Sequence, residues 1–85
     1  MKKIMRDSAV RFWLTHHYLK KIAKKYPLFF DQLMYEVCDN KREQLVMSKR
    51  YLERTKFETI AIDMNVDVRY VFRLHKQVID KLVEI

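Results

Sequence analysis

Apolar residues return along the first third of the chain at the spacing of a helix rather than a strand. With successive residues about 100° apart, Met5, Ala9, Phe12, His16, Leu19, Ala23 and Tyr26 fall into one stripe, which predicts a first helix over about residues 4–25. Pro27 ends it, because the residue before a proline is driven out of the helical region. A second helix over about residues 28–37 turns Phe30, Leu33, Met34, Val37 and Cys38 inward. Asn40 with Glu43 three residues later makes a capping box, so a third helix starts near Lys41 and carries Leu45, Ser48 and Leu52 on one side.

The densest pattern lies in residues 57–74, where two short helices joined by a tight turn are predicted. Ile60 and Met64 share one side of the first of these helices, Val66 plugs the turn, and Val71 and Leu74 present one face of the second back to them. Ala61 supplies the small residue that steeply crossing helices need where their backbones approach. The turn calls for a left-handed residue, and in a chain without glycine Asn65 is the residue there that tolerates positive φ. Thr55 with Glu58 reads as a capping box for the first helix, and Asp67 caps the second, which runs as one long helix to about residue 83.

These residues resemble region four of bacterial sigma factors, the domain that reads the upstream promoter element. The resemblance runs without a gap through Lys56-Phe57-Glu58-Thr59-Ile60-Ala61 and Asn65-Val66-Asp67 to Leu74, Val78 and Leu82, with Arg50-Tyr51 matching a pair common ahead of the motif. It covers roughly residues 40–82, about half the chain. The chain departs from the family at Arg54, where glycine is frequent, and at Thr59, where a second acidic residue is usual. The resemblance implies a helix-turn-helix that touches DNA, RNA polymerase or both, with Val68, Arg69, Phe72 and Arg73 at DNA-contacting positions. The chain has no room for the core-binding and melting regions of a full sigma factor, so the expectation is a small regulator of the phage or mobile-element type.

Spacing within the last helix reaches the same face independently. With Val71, Leu74, Val78 and Leu82 inward, Arg69, Arg73, Lys76 and Asp80 lie opposite, with Phe72 at the edge. Arg69 and Arg73 suit base edges, Lys76 suits a phosphate, and Val68 or Phe72 suits a thymine methyl.

Charge and length narrow the classes. Eighteen Lys and Arg against 11 Asp and Glu give a formal net charge of +7, which favours a polyanion by counterion release and equally suits an acidic membrane or solubility. Eighty-five residues suffice for one domain, divided here into a helical pair over 1–39 and the helix-turn-helix unit over 40–85. One cysteine allows no internal disulfide, as suits a cytoplasmic protein. The basic start Met1-Lys2-Lys3 is followed by Arg6, Asp7 and Arg11 rather than an apolar stretch, and no run has the length of a membrane span.

No constellation for catalysis, metal or cofactor emerges. His16 and His17 are adjacent, whereas ligands on one helix sit three or four residues apart; His16 reads as a core or boundary histidine and His17 as a surface one. Cys38 falls on an apolar face as a structural thiol, and Asp31, Glu36, Glu43, Glu53 and Glu58 fit solvated faces and caps. Lys20, Lys21, Lys24 and Lys25 read as a solubilising face that also suits the helix dipole. Val10, Trp13, Leu14 and His17 form a second patch on the first helix, which either meets the second helix or serves as a surface for self-association or a partner.

The expectation is therefore an all-α domain of about five helices with a C-terminal helix-turn-helix, a non-enzymatic regulator binding double-stranded DNA. RNA polymerase and a second copy of the chain are its further expected partners. The alternatives are an interaction module on the same fold that binds polymerase or another regulator without reading DNA, and a DNA-architectural or recombination accessory protein.

Overall fold

The computed structural model describes the backbone of residues 3–84 and the side chains of residues 14–83. Five α-helices follow one another: α1 (Lys3–Lys25), α2 (Pro27–Val37), α3 (Lys41–Met47), α4 (Phe57–Met64) and α5 (Val68–Glu84), with a π-helical turn over Ser48–Leu52 continuing α3. Among the described residues there is no strand, and the fold is all-α. Nor is any of these helices long and apolar enough to cross a membrane.

Helix α5 is the spine, and each half of it is covered by a different set of residues. Val71 and Leu74 in its first half join Val46, Ile60 and Ala61 in a small apolar cluster, flanked by Phe57, Met64, Val66, Val68 and Tyr70. Val78 and Ile79 in its second half join Leu19, Ile22 and Ala23 of α1, Phe30 and Met34 of α2, Met47 and Tyr51 in a larger one. Leu33, Val37, Cys38 and Leu82 pack against the margin of that larger cluster.

Three expectations change. Tyr26 does not complete the α1 stripe: the chain leaves the helix there (φ −133°, ψ 65°), the ring is 63 % exposed, and Ile22 takes the inward position. Of the face marked by Leu45, Ser48 and Leu52, Leu52 packs against the larger cluster but Leu45 is exposed; the buried residues are Glu43, Val46 and Met47 of α3 and Tyr51 of the π turn. Hydrophobicity misled here because a carboxylate and a phenol are buried. Asn40 caps α3 as expected, its Oδ1 accepting from the Glu43 N–H at 3.0 Å, but Glu43 Oε1 accepts from the N–H of Asp39 at 2.8 Å rather than that of Asn40. Lys81 on α5 donates to the same Glu43 oxygen at 2.8 Å.

The capping box expected at Thr55 and Glu58 is also absent. Helix α4 is preceded by an extended Lys56 without a side-chain cap bond. The cause lies upstream, where Arg54 has φ 57° and the Thr55 N–H donates to the Lys49 carbonyl at 2.9 Å, which ties Thr55 to the exit of the π turn.

Candidate nucleic-acid interface

The α4–α5 pair is built by the residues that the sequence pattern marks. Asn65 ends α4 in the left-handed region (φ 59°, ψ 47°), and the next N–H, from Val66, reaches back to the Ala61 carbonyl at 3.0 Å. Asp67 Oδ1 then accepts from the Arg69 N–H at 2.8 Å and starts α5. Ala61, 4 % exposed, leaves α5 room to approach, and Val71 is fully buried against it and Ile60.

This packing leaves Arg69, Phe72, Arg73 and Lys76 exposed along one side of α5. Val68 sits lower and packs against the small cluster, so only part of it faces outward. Arg69 reaches back to Asp67 at 3.4 Å, and Lys76 holds Asp80 at 2.8 Å. Hydrogen bonds from the Arg69 backbone amide and then its guanidinium hold Asp67 below the usual carboxylate range. Exposed ion pairs of this kind are weak, so a phosphate or a base edge can compete for either cation.

Several residues shape this face without having been singled out for it. Phe57 at the start of α4 meets the Phe72 ring edge-on at 5.0 Å between centroids, which fixes the one large apolar group on the face. The Arg50 guanidinium lies over the Phe57 ring at 4.5 Å and donates to the Thr55 carbonyl at 3.2 Å. Arg42 of α3 donates to the Tyr70 hydroxyl at 3.0 Å. Arg50 was legible as half of an arginine-tyrosine pair; its ring contact joins residues of separate helices and has no sequence signal.

The proposed protein-binding patch on α1 is only partly described: the side chains of Val10 and Trp13 lie outside the described residues. Leu14 is 52 % exposed. His17 is exposed and lines a basic cleft rather than an apolar surface. No group of His, Cys, Asp and Glu among the described residues has the arrangement to hold a metal ion. Burial, with Glu43 nearby, pushes the Cys38 thiol up to about 12, so it stays protonated at neutral pH and is not a nucleophile.

No protein-family model, no curated protein and no solved structure matches this chain.

Proposed function

We propose that this chain is a DNA-binding transcriptional regulator whose α5 enters the major groove from a helix-turn-helix similar to region four of sigma factors. The observation that carries this reading is the α4–α5 pair itself: a left-handed Asn65 turn, an alanine at the crossing and a row of exposed Arg69, Phe72, Arg73 and Lys76 on the outward side. In such a pair the amino-terminal half of the second helix meets base edges. Arg69 and Arg73 there are the base readers, each able to engage guanine through two donors, and Phe72 offers an apolar edge to a thymine methyl. Lys76, a turn further on, contacts phosphate. On this reading the protein acts in the cytoplasm on promoter DNA.

A second reading has one observation in its favour. The outward side of α4 carries Ile62, 77 % exposed, among Glu58, Thr59 and Asp63, a mixed apolar and acidic surface suited to RNA polymerase or another regulator rather than to DNA.

A duplex selected from a random pool by the full chain supplies the test, with affinities measured by fluorescence anisotropy at two salt concentrations. Arg69→Ala and Arg73→Ala should each cost about 1–3 kcal/mol of specific binding and relax the preference at one position, whereas Lys76→Ala should weaken all sequences alike. If no sequence is enriched, or if both arginine variants fold and keep full specific affinity, α5 does not read DNA and the interaction-module reading takes over.

A further inference from the structure

A second basic surface lies on the flank of this unit. A cleft of about 520 Å³ opens between α1, which contributes His17, Lys20, Lys21 and Lys24, and the end of the π turn, which contributes Arg50 and Arg54. We propose that this cleft binds the phosphate backbone of the same duplex that α5 reads, a proposal that rests on the DNA-reading function above.

Four observations converge. The first is charge: five cationic side chains surround the cleft and no carboxylate lines it, so their mutual repulsion is relieved only by an anion. Second, the α1 wall is a regular stripe. His17, Lys20, Lys21 and Lys24 stand at i, i+3, i+4 and i+7, one face of a helix about 10 Å long, which is the axial rise of about three phosphates on one DNA strand. Third, Arg50 is already ordered by the Phe57 ring at 4.5 Å and the Thr55 carbonyl at 3.2 Å, so little side-chain freedom remains to be lost when its other donors grip a phosphate.

The fourth is the backbone. Arg54 is held at φ 57°, a conformation in which glycine is at ease and a residue with a Cβ is strained, and it is an arginine whose side chain lines the cleft. Position ties the two surfaces together. Arg50, which lines the cleft, lies over the Phe57 ring at 4.5 Å, and Phe57 meets Phe72 of the reading face at 5.0 Å, so a chain of contacts links the cleft to that face. An acidic polypeptide could also neutralise the cleft, but the continuity with the reading face favours DNA.

The test uses the full chain with the triple variant Lys20→Gln, Lys21→Gln, Lys24→Gln, and separately Arg54→Gly. All three lysines are exposed, so the triple variant should melt as the wild type does. Its affinity for selected and scrambled duplexes should fall by a common factor of about ten, and the slope of log affinity against log salt should become shallower by about three, near one for each lysine removed. Arg54→Gly should bind both duplexes about threefold more weakly while folding at least as stably, which separates lost contact from lost structure. Should the triple variant keep wild-type affinity and slope while Arg69→Ala still loses sequence preference, the cleft is not a phosphate site although α5 does read DNA. Should binding prove sequence-blind yet still depend on the three lysines, the cleft contacts phosphate but the reading function fails, and with it the proposal that both surfaces engage one duplex. No duplex binding by the wild type at low salt overturns both. Unchanged DNA binding together with poly-glutamate binding that only the wild type shows would assign the cleft to an acidic polypeptide and overturn the proposal.

Discussion

The two hydrophobic clusters along α5 are held together in different ways. The small one, built on Val46, Ile60, Ala61, Val71 and Leu74, is apolar throughout and drawn mostly from α4 and α5. The large one brings α1, α2, the π turn and the second half of α5 together, and polar groups are buried in and beside it. The Tyr51 hydroxyl lies between His16 Nδ1 and His75 Nε2, the latter at 2.7 Å, while Glu43, 2 % exposed, is gripped by Lys81. Apolar contacts tolerate small slips, whereas a buried hydroxyl or carboxylate is stable only where its partner stands. The difference teaches that the α4–α5 pair is shaped by packing and the docking of the amino-terminal helices upon it by paired polar groups.

Acid should break the large cluster first. Burial, with His16 and Arg50 adding positive charge, lowers His75 to about 4, and burial lowers His16 in the same direction. Tyr51 has one proton to donate and one oxygen to accept with, so it serves two neutral imidazoles, one as acceptor and one as donor. In the unfolded chain His75 takes up its proton near pH 6.5, well before it does so in the folded protein. The unfolded state therefore holds more protons between about pH 6.5 and pH 4, and stability must fall as the pH drops through that window, by roughly 3 kcal/mol for His75. Urea unfolding at pH 7.5, 5.5 and 4.5 would measure it. A Tyr51→Phe, His75→Leu double variant should lose most of the slope in that window; if its pH profile parallels that of the wild type, the histidines are not what acid attacks.

The second buried pair sharpens the same contrast. Lys81→Met removes the cation from a carboxylate that is almost wholly inaccessible, and loss of one partner of a buried pair costs about 3–5 kcal/mol. Because Lys81 is 29 % exposed and also reaches the exposed Asp39, water screens part of that, and the expected loss is about 2 kcal/mol. Adding Glu43→Gln should restore more than half of it. Burial works against the Lys81 charge, but the hydrogen bonds to Asp39 and Glu43 prevail and raise its pKa above 10.5. The stability that this raised Lys81 pKa contributes is thus complete at neutral pH and is lost as the pH rises past the ordinary lysine range. A double variant no more stable than Lys81→Met alone would show that the pair is not coupled.

Legibility in the sequence follows the same division. Ile60, Ala61, Asn65, Val71 and Leu74 act through local spacing or one backbone conformation, and both signals survive in a string of letters. Helix count, the Asp67 cap and the exposed row on α5 were legible for the same reason. In the sequence Glu43 reads as a cap or solvated carboxylate and Tyr51 is not assigned to the core, because their partners lie 38 and 24 residues away and only burial reveals the need for them. The basic cleft was half visible: the i, i+3, i+4, i+7 stripe from His17 to Lys24 stood in the sequence, but Arg50 and Arg54 face it only through the tertiary fold.

The small cluster breaks by volume rather than by charge. Ala61 faces α5 with 4 % exposure, so Ala61→Leu forces extra methyl groups between two crossing helices at about 1–3 kcal/mol. The loss should be independent of pH between 7.5 and 5.5, unlike that of the large cluster, and it should spoil DNA binding because α5 is displaced. Equilibrium unfolding at both values tests this, and an unaltered midpoint would mean that the helices do not cross at Ala61.

Arg54 stands where the two clusters are joined, between the π turn and α4, and there the smallest effect has the opposite sign. Its φ of 57° strains a residue with a Cβ by about 1–2 kcal/mol, while glycine at the same place gives the unfolded chain additional freedom of about 0.4–1 kcal/mol. The first term exceeds the second, so Arg54→Gly should raise the stability by about 0.5 kcal/mol. Asn65, at φ 59°, provides the internal reference: asparagine already accepts the left-handed region, and Asn65→Gly should gain less. Both variants can be compared by urea midpoints at pH 7.5, where the histidines stay neutral and the large cluster does not blur a small difference. An Arg54→Gly protein less stable than the wild type would mean that the arginine side chain, and not the backbone alone, holds the joint together.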